Sequence, residues 1–325
     1  MQLGGGQAKS GKTIMDIQLL SFSGCPGIEP TLTRLKAVMR DEGVECPIQR
    51  VEVADDVTAH RERFLGSPSI RINGLDIETS RRTDSPCFGC RLYPAGEPVP
   101  PEAMIRDAIR QALSITDAVR TRFDRLAAEW DANPGRVAIA KAVTAAIRNA
   151  VTLRPDMVAM DFGAGTGLVT LGLLSDVGSL TAVDASGEML RLLDEKLKAL
   201  QLVNVRTLLC EVGKTMLPAD GFDLIVSSMV LHHLPDVPLA LHLLRPCLRP
   251  GGWIALADLY AEDGTFHADP AGVFHHGFDP TNISRWLQAA GFTDASAREA
   301  HRIVRTTTDG QAREYPVFLV TGRAD

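Results

Sequence analysis

The chain of 325 residues has no excess of basic residues. Its 34 Lys and Arg stand against 40 Asp and Glu, which leaves a formal net charge of -6. A protein that binds nucleic acid unaided usually presents a basic face to the phosphates. We therefore expect no nucleic acid among the partners of this chain.

Long apolar runs are missing as well. No run approaches the roughly 20 residues that a membrane-spanning helix needs, so we expect no stable membrane insertion. Residues 1–14 lack the apolar centre of a secretory signal. Residues 6–13 match the phosphate-loop pattern, but no strand precedes them and a strand-like segment follows. We expect 1–14 to be a flexible leader without a nucleotide site.

Cysteine is scarce for a chain stabilised by disulfides, with six residues in 325. Such a content fits a reducing compartment, and we predict a cytoplasmic protein. Hydrophobic residues make up 45% and charged residues 23%, as in ordinary globular proteins. The length exceeds one typical domain core, so the patterns below are divided between two domains, 15–114 and 118–325.

Residues 15–114 predict a small α/β domain with the order β-α-β-α-β-β-α. Asn73-Gly74 separates two strand-like runs, which is a strong hairpin signal. Cys25 follows the first strand, and Pro68 precedes the third. The arrangement resembles the thioredoxin fold, and that resemblance implies a cis peptide before Pro68 and a place for this proline against Cys25.

The thiols of this domain depart from the thioredoxin pattern. Ile28 stands where a dithiol oxidoreductase has its second cysteine, so Cys25 alone cannot complete the usual exchange. A separate Cys87-x-x-Cys90 pair has a spacing that lets two sulfurs face a soft metal ion or form a disulfide. With Cys25 it suits capture of arsenite or mercury, or thiol exchange with a partner. The alternatives are a structural cross-link and a loop pair without a chemical role.

Residues 118–325 alternate between strand and helix patterns, which predicts a doubly wound, mostly parallel sheet. The segment Asp161-x-Gly163-x-Gly165-x-Gly167 follows a strand and opens a helix. Glycines there let the backbone approach a ligand closely. A dinucleotide-binding loop would need glycine rather than leucine at position 168. Asp184 ends the next strand, where a carboxylate can accept hydrogen bonds from both ribose hydroxyls.

These features resemble class I S-adenosylmethionine-dependent methyltransferases, and the motifs at 222–234 and 248–252 extend the resemblance. Residues 123–131 resemble the cap of a small-molecule subgroup that includes ubiquinone-biosynthesis enzymes. The resemblance implies a Rossmann-like seven-stranded sheet. It also implies a cofactor site whose residues are, for the methionine end, Asp161, Gly163, Ala164, Gly165, Thr166, Gly167 and Ser227; for the ribose, Asp184; and for the adenine, Ala185, Met189 and Glu211. Glu211 stands where the family usually has aspartate.

The reaction implied is in-line displacement of the sulfonium methyl group onto a small-molecule acceptor. A thiolate or metalloid acceptor needs no base in the transfer step, whereas a phenol or carbon acid usually does. The candidate bases are His276 and His233. Further candidates in the same segments are His232, His275, Tyr260 and Asp263.

Three functions remain open from the sequence. In one, Cys25, Cys87 and Cys90 help to capture a thiol or metalloid acceptor. In another, the protein methylates oxygen or carbon of a quinol or similar molecule, and the N-terminal domain is purely structural. In the last, the chain is a non-catalytic, redox- or metalloid-responsive protein that binds S-adenosylmethionine. The sequence predicts no oligomeric state.

Overall fold

The computed structural model describes residues 16–210, 217–306 and 312–325. The chain forms two compact units, with the boundary between Ile115 and Thr116. The expected leader and its phosphate-loop pattern lie outside the described residues. Across the described parts of the chain, no helix is both long and apolar enough to span a membrane.

The N-terminal unit contains a four-stranded sheet in the order β2-β1-β3-β4. Strand β1 is parallel to β2 and antiparallel to β3, which in turn is antiparallel to β4. The elements are β1 (Ile17–Ser21), α1 (Ile28–Asp41), β2 (Ile48–Glu52), α2 (Asp56–Arg61), β3 (Ser69–Ile72), β4 (Leu75–Asp76) and α3 (Glu102–Leu126), the last of which crosses the unit boundary.

Local sequence explains the hairpin of this sheet. Ile72 pairs with Leu75, so Asn73 and Gly74 form a two-residue turn with φ values of 51° and 76°. Asparagine and glycine are the residues that accept such angles most readily. The Ser67–Pro68 peptide is cis.

The C-terminal unit contains a seven-stranded sheet in the order β10-β11-β9-β8-β5-β6-β7. Strands β5 to β9 are mutually parallel, and β10 and β11 run antiparallel at one edge. After α3, the elements are α4 (Pro134–Ala150), β5 (Val158–Phe162), α5 (Leu168–Leu173), β6 (Ser179–Asp184), α6 (Gly187–Ala199), β7 (Val205–Leu209), β8 (Phe222–Ser228), α7 (Val237–Leu244), β9 (Leu248–Leu259), α8 (Pro280–Ala289), β10 (Phe292–Thr306) and β11 (Ala312–Ala324).

Both faces of this sheet are covered. Neighbouring residues of one strand enter different hydrophobic clusters: Ala159 and Leu224 belong to one, and Met160 and Ile225 to the other. Burial on both sides explains why apolar residues follow one another without alternation at 158–160 of β5 and at 224–226 of β8. The doubly wound, mostly parallel seven-stranded sheet expected from the sequence is confirmed.

The strand order places a crevice at the centre of the sheet. Strand β5 has β6 on one side and β8 on the other, so the connections leave it in opposite directions. Ligands of open α/β sheets bind outside the carboxyl ends of the strands at this reversal. The segments that meet there are the glycine loop after β5, Asp184 at the end of β6 and the turn that follows β8.

Candidate active site

The glycine loop after β5 is held close to β6. The backbone N–H groups of Gly163 and Ala164 both donate to the carbonyl of Val183, at 2.8 and 2.9 Å. Gly163 has φ +78°, and an added Cβ would lie 2.2 Å from a methyl group of Val230. Gly167 has φ +85°, and a Cβ there would lie 2.3 Å from a methyl of Leu193. These two glycines are required for packing within the domain.

Gly165 differs from the other two glycines of the loop. Its φ is +55°, and an added Cβ would make only ordinary contacts, with Met189 Sδ and Trp130 Nε1 as its nearest neighbours at 3.9 Å. No close approach of protein therefore requires the missing side chain at this position. Met189 and Trp130 border the space beside Gly165.

Asp184 lies beside this space with its carboxylate fixed by backbone groups. Its Oδ2 accepts the N–H of Gly165 at 2.7 Å, and its Oδ1 accepts the N–H of Ser186 at 2.8 Å. Burial raises the pKa of Asp184 by more than these hydrogen bonds lower it. Each carboxylate oxygen has a second lone pair, so the group can also accept two hydroxyls of one ligand.

Two acidic residues of the expected cap segment, which lies outside the sheet, form hydrogen bonds to residues of the site. Asp124 accepts the hydroxyl of Ser186 at 2.6 Å, which fixes the start of α6 next to Asp184. Asp131 accepts the hydroxyl of Thr166 and pairs with the ammonium of Lys196. Thr166 is thus buried and already bonded within the protein.

Two of the residues expected at the methionine end, Asp161 and Ser227, are deeply buried. Asp161 accepts the hydroxyl of Thr170 at 2.7 Å, and burial raises its pKa to about 7. Ser227 donates its hydroxyl to the carbonyl of Phe162 at 2.8 Å, so this side chain ties β8 to β5 at the crevice. Both lie at the carboxyl ends of their strands.

The residues expected near the adenine are only partly described. Met189 is buried in the first turn of α6, where its N–H donates to the hydroxyl of Ser186, and Ala185 precedes that helix. Glu211 lies outside the described residues.

A cluster of three histidines lies next to the turn after β8. His232 is buried, and its Nδ1 is 2.6 Å from the buried carboxylate of Asp258 at the end of β9. The Nδ1 of His233 is 2.7 Å from the carbonyl of Gly272. One ring nitrogen from each of His232, His233 and His267 lies within 4.8 Å of the other two.

Burial keeps two of these rings neutral. It lowers the pKa of His233 to about 3 and that of His267 to about 4. Burial alone would raise the pKa of Asp258, but contact with the His232 ring outweighs it and the pKa is lowered. At neutral pH the site therefore offers imidazole lone pairs beside a charged carboxylate.

The other candidate bases from the sequence are not among the three rings of this cluster, although the N–H of His275 donates to the carbonyl of His232 at 3.3 Å. His276 is 55% exposed, with its Nδ1 3.6 Å from a carboxylate oxygen of Glu262. His275 Nε2 is 3.0 Å from the carbonyl of Leu234. Asp263 forms an exposed ion pair with Arg313 at 2.9 Å.

His267 was not selected from the sequence. Its only signal there is its place in the polar segment after β9, the same segment that contains His275 and His276. Tyr260, a further candidate base, begins this segment directly after β9.

Cys25, Cys87 and Cys90 form no disulfide. Cys25 is buried, whereas Cys87 and Cys90 are exposed. The cysteine loop packs on neighbouring segments: Phe88 contacts Phe22 with ring centroids 5.7 Å apart, and the carbonyl of Gly89 accepts the N–H of the residue before Pro68 at 2.7 Å. In the described residues, the three sulfurs do not meet as a group of ligand atoms within 4.8 Å.

Comparison with known proteins gives related sequences for the C-terminal unit. Residues 160–256 match the family model described as a methyltransferase domain. An uncharacterized methyltransferase of Schizosaccharomyces pombe is 29% identical over 154 residues, which cover 43% of this chain and 54% of the relative. The chain thus spans about half the length of that relative. A malonyl-[acyl-carrier protein] O-methyltransferase of Paenibacillus is 28% identical over 198 residues, or 54% of this chain and 71% of the relative.

The same fold occurs in a solved structure. A chain of the Haloferax volcanii complex between the Trm112 methyltransferase activator and a methyltransferase matches with a TM-score of 0.51 and 16% identity. The match covers 62% of this chain and 97% of that one. At this identity, the likeness concerns the fold.

Proposed function

We propose that the C-terminal unit is a class I S-adenosylmethionine-dependent methyltransferase domain and that it transfers a methyl group to a small-molecule acceptor, which the match of residues 160–256 to a methyltransferase domain supports. The observation that carries the proposal is the space beside Gly165, where an added Cβ would meet no atom of a more distant residue closer than 3.9 Å, next to the Asp184 carboxylate. This space and the acceptor groups around it fit an adenosine with a cationic tail.

Different residues of the site bind different parts of S-adenosylmethionine. Asp184 accepts the ribose hydroxyls, Met189 packs beside the adenine, and the backbone at 163–167 follows the methionine end. Asp161 offers a buried carboxylate near the cationic end. The cofactor supplies a methyl group on a sulfonium, which is already a good leaving group. The protein then contributes orientation and exclusion of water.

The chemical class of the methyl acceptor is the more detailed part of the proposal. Cys87 and Cys90 are exposed free thiols, which supports a thiol or metalloid acceptor delivered by the N-terminal unit. An oxygen acceptor is supported by the similarity to the Paenibacillus O-methyltransferase. In the first case the cysteines are part of the function, and in the second they are dispensable.

We also propose that the N-terminal unit is thioredoxin-like. Its sheet order, with a parallel β1–β2 pair next to an antiparallel β1–β3 pair, supports this assignment. A further support is the close approach of the Cys25 turn to Pro68: a Cβ on Gly27 would lie 3.1 Å from the Pro68 ring. Ile28 stands where a dithiol oxidoreductase has its second cysteine, so we expect no ordinary dithiol exchange.

The two acceptor classes are separated by one set of assays. The full chain is incubated with S-adenosylmethionine and, in turn, sulfide, a small thiol, arsenite and a quinol, and formation of S-adenosylhomocysteine is measured. Each assay is repeated with Cys25, Cys87 and Cys90 changed to serine. Turnover on a soft acceptor that disappears with the cysteines supports the first class.

Turnover on an oxygen acceptor that survives the substitutions supports the second. Cofactor binding without turnover on any acceptor would point to the non-catalytic alternative.

A further inference from the structure

We propose that His232, His233 and His267 bind a divalent transition-metal ion such as Zn²⁺ beside the cofactor site. Within the described residues, this is the one group of three His, Cys, Asp or Glu side chains whose ligand atoms come within 4.8 Å of one another. Nitrogens that bind zinc tetrahedrally at about 2.0–2.1 Å lie roughly 3.4 Å apart, so ring movements of about 1 Å complete the site.

Two buried nitrogens at this cluster have no protein partner. They are Nε2 of His232 and Nε2 of His267. His232 itself is 1% exposed, so water does not freely reach this ring. A buried nitrogen without a hydrogen bond is costly, and a metal ion that accepts its lone pair removes that cost.

The surroundings of the rings are those of metal ligands. Asp258 is buried and lies 2.6 Å from Nδ1 of His232, on the opposite side of the ring from the unpartnered Nε2. His233 uses its Nδ1 in the same manner on the carbonyl of Gly272, at 2.7 Å. Such contacts fix the tautomer with the proton on Nδ1, which leaves Nε2 to face the ion.

The cluster adjoins the cofactor site through side chains of the same unit. Val230, one turn before His233, covers Gly163 of the glycine loop. The ring of His233 packs on Phe123 at 5.0 Å, and Phe123 packs on Trp130, which borders the space at Gly165. An ion held by three histidines keeps a position open for a further ligand.

The role of the ion in transfer depends on the proposed function. A hydroxyl or thiol of the acceptor that binds at the open position loses its proton to solvent, because the ion stabilises the anion. The acceptor atom then forms a bond to the methyl carbon, and the carbon–sulfur bond breaks with its electron pair on sulfur. No protein base is required.

Metal binding is tested directly on the full chain. The protein is stripped with a chelator, and Zn²⁺ is titrated calorimetrically. A Cys87→Ser/Cys90→Ser variant serves as the background, since that pair also suits zinc. The metal-bound sample is then studied by X-ray absorption, where histidine nitrogen gives a first shell near about 2.0–2.1 Å and cysteine sulfur near about 2.3 Å.

The expected result is one Zn²⁺ per chain in this background, with a nitrogen shell. His267→Gln should weaken binding by more than about 100-fold, and Asp258→Asn by roughly 10–100-fold. The exposed His242 of α7 provides the matched control, and His242→Gln should leave affinity unchanged. Circular dichroism and thermal unfolding confirm that each variant is folded.

Absence of Zn²⁺ binding in the Cys87→Ser/Cys90→Ser background would overturn the proposal, as would equal affinity of His267→Gln and His242→Gln. Binding of S-adenosylmethionine is measured on the same samples. Loss of S-adenosylmethionine binding in a sample that still binds Zn²⁺ contradicts the proposed function but not the metal site. Loss of Zn²⁺ binding in a sample that still binds S-adenosylmethionine contradicts the metal site but not the proposed function.

Discussion

Substitution of Gly165 by alanine separates cofactor binding from folding. Its φ of +55° lies in the left-handed region, which costs an alanine about 1 kcal/mol. No protein atom lies closer than 3.9 Å to the added methyl group, so no packing strain adds to this cost. The methyl group instead occupies the space that we assign to S-adenosylmethionine.

Gly43 supplies a matched control. Its φ is +68°, nothing lies within 4 Å of an added Cβ, and it belongs to the other unit. Gly43→Ala should therefore cost a similar 1 kcal/mol or so. For a domain the size of the C-terminal unit, such a change lowers the Tm of Gly165→Ala by roughly 2–4 °C.

Calorimetric titration of S-adenosylmethionine into both variants gives the decisive difference. Gly165→Ala should lose at least about 10-fold in affinity, or about 1.4 kcal/mol, because the ligand must shift away from the loop. Gly43→Ala should bind as the unaltered chain does. Unchanged affinity of a folded Gly165→Ala protein would refute the assignment of the space.

Three further predictions concern the same site. Gly163→Ala should destabilise the protein by about 2–4 kcal/mol in urea unfolding, because strain against Val230 adds to the backbone cost. A second change, Val230→Ala, should recover part of the lost stability, and equal stability of the single and double variants would contradict this. Asp184→Asn should weaken cofactor binding at least about 10-fold, since a charged acceptor becomes neutral, and unaltered binding would remove the ribose role. Asp161 has a pKa of about 7 when folded and 3.8 as the reference value, so its contribution to stability falls as pH rises from about 4 to 7 and is constant above. Relative to Asp161→Asn, the loss in unfolding free energy should be on the order of 4 kcal/mol, and parallel pH profiles of the two proteins would be the contrary result.

The glycine loop and Asp184 were predictable because their signals are local. A strand, a turn with glycines at fixed offsets and a helix follow one another within 158–173, and the partner carboxylate ends the next strand. Alternating strand and helix patterns fix a parallel sheet with this loop at its carboxyl edge. Residues 160–256, which include this loop and Asp184, match the family model described as a methyltransferase domain.

Strand β10 shows where pattern reading fails. The sequence indicated only the strand at 315–320 near the end of the chain, whereas the structure has a long β10–β11 pair. Strand β10 lies at the sheet edge and is largely exposed, so it lacks an apolar run. Register shifts after Thr293 and after Glu299 also break its period of two.

The histidine cluster shows a different limit. The sequence identifies His232 and His233 as candidate bases, but their spatial neighbour His267 is more than thirty residues away in the chain. The conformation of the segment after β9 brings His267 next to them. Nothing in the residues around it distinguishes it from His276, for which a base role stays a prediction. Long-range convergence of this kind depends on loop geometry, which local patterns do not encode.

Methyl transfer by the C-terminal unit is tested most directly by comparing the amounts of its two products. The full chain is incubated with S-adenosylmethionine carrying a labelled methyl group and with each acceptor, and both products are quantified by mass spectrometry. We expect equal amounts of S-adenosylhomocysteine and labelled acceptor for at least one acceptor, with the Gly165→Ala variant strongly impaired. Failure of the folded chain to bind S-adenosylmethionine, or product formation that is indifferent to Gly165→Ala, would contradict this expectation.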